Sequence, residues 1–457
     1  MRRRRTQDPV KKKPSHMQWI RKKWHSLMGK VFSAELEVSW GSDTPGSLPA
    51  RNLRLEPLMT QVVGTYTGPD EGLAAKNGVV VDISKLRKPI AGSMNWTRKH
   101  ELAYGMAVSL YDHPPGREHP QGHPVADVFG VAVYPNSCVI ALADGVNWGE
   151  KARLAARCAV RGAMERIHKD LYAPPNALRH ATLDTHVVTR VVLSAFGDAQ
   201  DAIIKSEATM TTLCVAVVCR LLHSDTGWAV VTVNVGDSYA YIYSPTTGRV
   251  REVTVGSHPE ERDMRDSGGV LGPADGLHPD LSNLTCSVTT ISTGDVVFLL
   301  SDGVTDNFDP VVLRKSTTEK EKRAWRHLDM PEPDLPIWTR EERESFQCRK
   351  MEDALRQPTL TGQRRTAREV CAALIGYSTE RTNDRRRLLE EPDNQTDLWP
   401  PKKRRERMDE LERVLKRMSG KLDHAAAVAY TAREIPLTAV ERRAHVDAQL
   451  YDDLANF

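Results

Sequence analysis

Three apolar runs of strand length each deliver an aspartate. Val139 to Ala143 leads into Asp144-Gly145, Val231 to Val235 into Gly236-Asp237-Ser238, and Val296 to Leu300 into Ser301-Asp302-Gly303. A fourth aspartate, Asp423, stands directly before His424 and the small-residue run Ala425 to Tyr430. A single Asp-Gly pair is only a turn signal. Recurrence after strong β runs is different, because a carboxylate at a strand end with a glycine behind it leaves the backbone oxygens open to a ligand. Carboxylates converging from several strands suit hard divalent cations such as Mg²⁺ or Mn²⁺, which take oxygen donors. A pair of such cations can orient a water and polarise a phosphoryl group. The chain has no Gly-x-x-x-x-Gly-Lys loop, no Gly-x-Ser-x-Gly elbow and no His-Glu-x-x-His helix. A nucleotide-driven motor, a serine hydrolase and a zinc protease therefore lose ground.

The elements that must carry these residues follow from the apolar pattern. Tyr104 to Leu110 alternates as a strand, and Val125 to Tyr134 with Cys138 to Ala143 form a hairpin across Pro135-Asn136. Helices are expected over roughly 149–171 and 179–206, and strands over 213–222, 228–235, 239–243, 250–255, 284–291 and 296–300. Helices in a run and then strands in a run indicate an α+β sandwich, not alternating βαβ units. This regular domain is expected over 101–435, preceded by a basic N-terminal arm at 1–30 and an irregular lead-in at 31–100. A charged helical insertion is expected at about 315–418, and a C-terminal tail at 436–457.

Composition limits the rest. The 457 residues, 40% apolar and 27% charged, describe a globular protein able to bury a full core. A net charge of +4 is small for this length and does not point to nucleic acid. Seven cysteines without a Cys-x-x-Cys pair read as buried thiols in a reducing compartment, hence a cytoplasmic or nuclear location. No run of 18 apolar residues is present, so no transmembrane segment is expected. The arm, with Arg2 to Arg5 and Lys11 to Lys13, is the surface that could contact an acidic partner.

The ordered set Asp144-Gly145, Thr211-Thr212, Val235-Gly236-Asp237-Ser238, Gly268-Gly269, Ser301-Asp302-Gly303 and Asp423-His424 resembles the metal-dependent PPM, or type 2C, protein phosphatases. The resemblance covers roughly 100–313 and 420–432. It implies a PPM-type sandwich of two antiparallel β-sheets flanked by helices, with a Mg²⁺ or Mn²⁺ centre at one end and phosphoserine or phosphothreonine as substrate. On that resemblance Asp144, Asp302 and Asp423 would be the catalytic carboxylates. Asp144 would bridge two metals, the Gly145 carbonyl would bind the second, and Asp302 and Asp423 would complete the first. Asp237 matches a looser third position. An activated water would attack phosphorus without a covalent phosphoenzyme.

The chain departs from the family where phosphate and proton are handled. Counting from Gly105, the positions of the family's phosphate-binding arginine and Glu-Asp pair fall on Ala107, Tyr111 and Asp112, so only Asp112 survives as a candidate metal ligand. No phosphate-binding residue is assigned. The family's histidine after Asp-Gly is Val146, followed by Asn147-Trp148-Gly149, and its Asp-Asn pair is Asp423-His424. Arg349-Lys350-Met351-Glu352-Asp353 has the missing letters, but in the wrong chain order. Two functions stay open: a divergent metal-dependent serine/threonine phosphatase acting on a phosphoprotein substrate, or an impaired pseudophosphatase that binds a phosphoprotein ligand or serves as a scaffold.

Overall fold

The computed structural model describes residues 52–74, 89–114, 116–173, 183–254, 267–356, 365–391, 394 and 400–436. The basic arm and nearly all of the C-terminal tail lie outside them. In chain order the elements begin with strands β1 (Gly64–Gly68), β2 (Thr97–Arg98), β3 (Ala103–Ser109), β4 (Val128–Tyr134) and β5 (Ser137–Ala143). Helices α1 (Glu150–Ile167) and α2 (Thr185–Lys205) follow. Next come β6 (Leu213–Arg220), β7 (Gly227–Val235), β8 (Tyr239–Ser244), β9 (Arg249–Glu252), β10 (Val270–Asp275), β11 (His278–Asp280), β12 (Thr285–Ser292) and β13 (Val296–Leu300). A short helix α3 (Asp302–Thr305) precedes α4 (Glu319–His327), α5 (Arg340–Arg356), α6 (Ala367–Glu390) and α7 (Pro401–Arg417), and β14 (His424–Thr431) closes the series.

The fold is an α+β sandwich of two antiparallel sheets flanked by helices. One sheet has the order β12-β7-β6-β5-β4-β1-β2 and the other β3-β14-β13-β8-β9, with β10 and β11 forming a separate ribbon. Helices α1 and α2 pack on each other and cover the first sheet, while α6 lies on β3 and β14 of the second. Strand β13 shows why its sequence is an unbroken apolar run. Val297 and Leu299 point between the sheets, joining Phe129, Ile140, Trp228 and Val428. Val296, Phe298 and Leu300 point the other way, against Met351, Val370 and Leu374 of the helices. Both faces are buried, so the period of two separates two cores instead of core from solvent.

Two stretches differ from their sequence-based description. Residues 31–100 were expected to carry little structure, yet β1 extends the first sheet by pairing with β4 from Gly64↔Val133 to Gly68↔Phe129. Its sequence, Gly-Thr-Tyr-Thr-Gly, lacks an apolar run because Thr65 and Thr67 are buried by hydrogen bonding instead, Thr67 Oγ1 donating to the Phe129 carbonyl at 2.6 Å. The charged stretch at 315–418 supplies the outer helical layer of the second sheet. Met351 and Leu355 of α5 with Val370, Cys371, Leu374 and Ile375 of α6 are core residues. Their stripe is narrow and the remaining faces are charged, so average polarity conceals it. The Arg349–Asp353 segment lies on α5. Glu352 there accepts from the Val250 N–H at 3.1 Å and pairs with Arg249, which ties α5 to β9.

Candidate metal centre

Antiparallel pairing sets the end of one strand beside the start of the next, and this brings the aspartates together. Leu300 pairs with Ala427, His424 with Ser109, and Val128 with Ala143. Asp302 just after β13, Asp423 just before β14, Asp144 just after β5 and Asp127 just before β4 consequently share one end of the sandwich. The two sheets are linked there directly, since Ser301 Oγ donates to Asp127 Oδ2 at 2.7 Å. Close backbone approach is required at two of the glycines. A Cβ at Gly303 would run into the His424 carbonyl, and one at Gly145 into the Ala152 carbonyl of α1.

Asp144 is held by its own backbone. Its N–H donates to Thr212 Oγ1 at 3.0 Å, and its carbonyl accepts from Thr211 Oγ1 at 2.7 Å and the Thr212 N–H at 2.9 Å. Burial, then the charges of Asp127, Asp302, Asp423 and Asp237, push its carboxyl well above the usual carboxylate range. Asp127, fully buried, is raised by burial in the same way. Asp144, Asp302 and Asp423 thus share one end of the sandwich, and the charge of Asp237 also acts on Asp144. Asp112 does not join them. The charges that act on it are Glu390 and Arg117, and burial is the main cause of its raised carboxyl.

Lys421 stands at the focus of the cluster. Its Nζ donates to Asp302 Oδ2 at 2.5 Å and Asp306 Oδ2 at 2.8 Å, and lies 3.0 Å from Asp423 Oδ2. An ammonium has three N–H bonds, and three carboxylates meet it. Burial opposes its charge, but Asp302, Asp306 and Asp423 outweigh that cost and hold it well above the ordinary lysine value. The segment delivering it is clamped. Arg385 of α6 donates to the Leu415, Met418 and Ser419 carbonyls at 2.6, 2.8 and 3.0 Å. Asn307 Oδ1 accepts from the Lys421 N–H at 2.9 Å, and Asn307 Nδ2 donates to the Lys421 carbonyl at 3.0 Å.

Tyr111, at the position expected to hold a metal-ligating glutamate, turns its hydroxyl onto the same cluster. It donates to Asp423 Oδ1 at 3.1 Å and accepts from Trp148 Nε1 at 2.8 Å. Burial and then the Asp423 charge push the phenol up, so it stays a neutral donor. Trp148, 56% exposed, packs edge-on against the Tyr111 ring at 5.0 Å, and His424 does so at 5.3 Å. His424 Nδ1 accepts from the Ala126 N–H at 3.2 Å, and burial lowers its pKa to about 4, so it is neutral at physiological pH. Ala107 lies within β3 opposite Ala426 and offers no charge to a phosphate.

A divalent cation needs the centre of its oxygen donors open, and ligands that are anionic. The first requirement fails at Asp302 and Asp423, whose shared focus is filled by the Lys421 ammonium. The second fails where Tyr111 replaces a carboxylate with a hydrogen-bond donor. These residues do not fit a binuclear divalent centre. Lys421, Asp306 and Asp127 were absent from the sequence-based candidates. Asp306 had a detectable signal, since it follows Asp302 by one helical turn, and Lys421 lies only two residues before Asp423.

The antiparallel sandwich with helices on both outer faces and aspartates gathered at one end is the arrangement that the resemblance to PPM phosphatases implies. The family model described as Protein phosphatase 2C matches residues 116–335. A PP2C-like domain-containing protein of Drosophila melanogaster is 40% identical over 284 residues, which is 62% of this chain and 36% of that protein. The chain thus matches little more than a third of that relative's length. Among solved structures, the photosystem II phosphatase PBCP aligns over 73% of this chain and 99% of its own at 14% identity, with a TM-score of 0.37. Serine-threonine phosphatase 2C from Toxoplasma gondii aligns over 71% and 98% at 12% identity, with a TM-score of 0.33. Over residues 116–335 the chain is thus similar to the type 2C, or PPM, protein phosphatases.

Proposed function

We propose that this domain keeps the PPM scaffold without its metal-dependent hydrolysis and acts as a pseudophosphatase, binding a phosphoprotein or serving as a scaffold. The observation that supports this reading is Tyr111. Its hydroxyl, joined to Trp148 Nε1 and Asp423 Oδ1, takes the place where a metal-ligating carboxylate is needed. Two further losses have no replacement at the same positions. Ala107 cannot bind phosphate as an arginine does, and Val146 cannot donate a proton, a role typically worth about 10²–10⁴-fold in rate. The other open reading, a working phosphatase, rests on Asp144, Asp302 and Asp423 being retained. That argument weakens once Lys421 supplies another reason to retain two of them.

The test is hydrolysis of a phosphothreonine peptide by the purified chain with Mn²⁺, with Mg²⁺ and with chelator, beside an Asp144→Ala control. No metal-dependent turnover above the control is expected. Metal-dependent turnover that disappears in Asp144→Ala would establish the phosphatase instead.

A further inference from the structure

The structure assigns Lys421 as a built-in cation that replaces a divalent metal among Asp302, Asp306 and Asp423, and that masks a latent metal site. This deepens the reading of the domain as non-hydrolytic and rests on it for its functional meaning, but it is testable separately.

The first argument is spatial. Oxygen ligands stand about 2.0–2.6 Å from a bound Mg²⁺ or Ca²⁺. The three carboxylate oxygens lie 2.5, 2.8 and 3.0 Å from Lys421 Nζ, so a cation among the same oxygens would collide with the nitrogen. Only one of the two can be there. The second argument is electrostatic. Carboxylates packed together at the end of an apolar sandwich are costly to desolvate unless something compensates their charge. A tethered ammonium does so with no dependence on ion concentration, because its attachment through the backbone makes binding intramolecular.

The third argument is that the lysine is positioned, not merely near. Asn307 binds both its N–H and its carbonyl, and Asn307 Nδ2 also donates to the Gly303 carbonyl at 2.8 Å. The same short segment that carries Asp302 and Asp306 therefore fixes the root of the lysine that neutralises them. Arg385 fixes the preceding turn. Asp302 Oδ1, meanwhile, is buried with no hydrogen-bond partner among the described residues, which leaves an oxygen available once the ammonium is gone. Removing the side chain beyond Cβ would leave three carboxylates and a space where Nζ had been, the donor chemistry of a hard-cation site.

The experiment is a Mn²⁺ titration of the full chain followed by electron paramagnetic resonance, with thermal unfolding measured in Mn²⁺ and in chelator. Wild type, Asp302→Asn, Lys421→Ser, Lys421→Gln and the double variant Lys421→Ser with Asp302→Asn are compared. Lys421→Ser is expected to bind Mn²⁺ at least about tenfold more tightly than wild type, since ligand charge and an open cavity govern affinity. Its unfolding temperature should rise with Mn²⁺, and the double variant should lose both effects. Wild-type binding as tight as that of Lys421→Ser, or folded Lys421→Ser and Lys421→Gln that bind no better than wild type, would overturn the assignment. Should both lysine variants fail to fold in every condition, the wild-type titration decides. Mn²⁺ bound by wild type and lost on Asp302→Asn refutes the tethered cation, and no wild-type binding upholds it. Turnover by wild type in chelator would sink the pseudophosphatase reading while leaving Lys421 in place. A Lys421→Ser variant that binds Mn²⁺ but does not hydrolyse the peptide supports both, because Ala107, Tyr111 and Val146 remain.

Discussion

Lys421 Nζ lies 2.5 Å from Asp302 Oδ2, and the two residues are 119 positions apart in the chain. They meet because β13 and β14 are antiparallel neighbours, which sets the residues after one strand against those before the other. The pair is the centre of a charge cluster whose stability and ion binding can be probed one residue at a time.

Replacing the ammonium with an apolar group of similar length tests the counter-ion role in folding. Lys421→Met in chelator should lower stability by about 3–5 kcal/mol, the usual cost of leaving buried charge uncompensated. The measurement is urea denaturation at pH 7.5, and a loss of under about 1 kcal/mol there would contradict an essential counter-ion.

Tyr111 should matter through its hydroxyl more than its ring. Tyr111→Phe keeps the edge contacts to Trp148 and His424 but removes the bond to Asp423, a charged acceptor, and should cost about 1.5–3 kcal/mol. The Trp148 indole N–H, having lost its acceptor, should shift in the proton–nitrogen NMR spectrum, with Trp148→Phe used to assign it. An unmoved resonance would show that the hydrogen bond does not persist in solution.

Asp127 gives a pH dependence of opposite sign to ordinary salt bridges. Its carboxyl is raised by burial, so folding favours its protonated form, and its contribution to stability is fully present below the ordinary aspartate value and lost as pH rises through the folded value. Asp127→Asn can still accept from Ser301 and carries no charge. It should stabilise the fold at pH 7.5 by about 1 kcal/mol or more, with the gain vanishing towards pH 4, as thermal unfolding across that range would reveal. A destabilised variant at pH 7.5 would mean that the charge of Asp127 is wanted.

The polar tie between α4 and α7 titrates the other way. Glu321 accepts from Arg314 Nη1 at 2.7 Å and Lys416 Nζ at 3.0 Å. Although burial pulls upward, these two partners hold its carboxyl below the ordinary glutamate value of 4.5. A depressed folded value means stability present above that pH and lost below it. Glu321→Gln should cost about 1.5–3 kcal/mol at pH 7 and progressively less under pH 4.5, measured by denaturant titration. Equal losses at pH 7 and pH 3 would show that the side chain acts through packing alone.

Strands β5, β6, β7, β8, β12 and β13 lie where the apolar runs indicated, because a run of β-branched residues bounded by turn formers has few alternatives. Helix α6 was hidden among charges, although Thr366 and Glu369 form a capping box that the sequence displays openly. Periodicity averaged over a charged segment loses a four-residue apolar stripe, whereas a cap is local and survives. Strand β1 was missed for the converse reason. Its burial rests on threonine hydrogen bonds to distant residues, Thr67 to Phe129 of β4 and Thr65 to Asn95, which composition does not register.

The sequence by itself determined the strand ends on which Asp144, Asp237, Asp302 and Asp423 stand, since alternation and glycine placement are local properties. The losses at Ala107, Tyr111 and Val146 were equally legible, as residue types at counted positions. Tertiary structure alone decided what stands between the carboxylates. Lys421 is one of 64 basic residues and bears no local mark, and only the crossing of β14 past β13, with Asn307 and Arg385 gripping the turn, brings its ammonium to their focus. Charge pairing across such a distance depends on long-range register, which no window of the sequence contains.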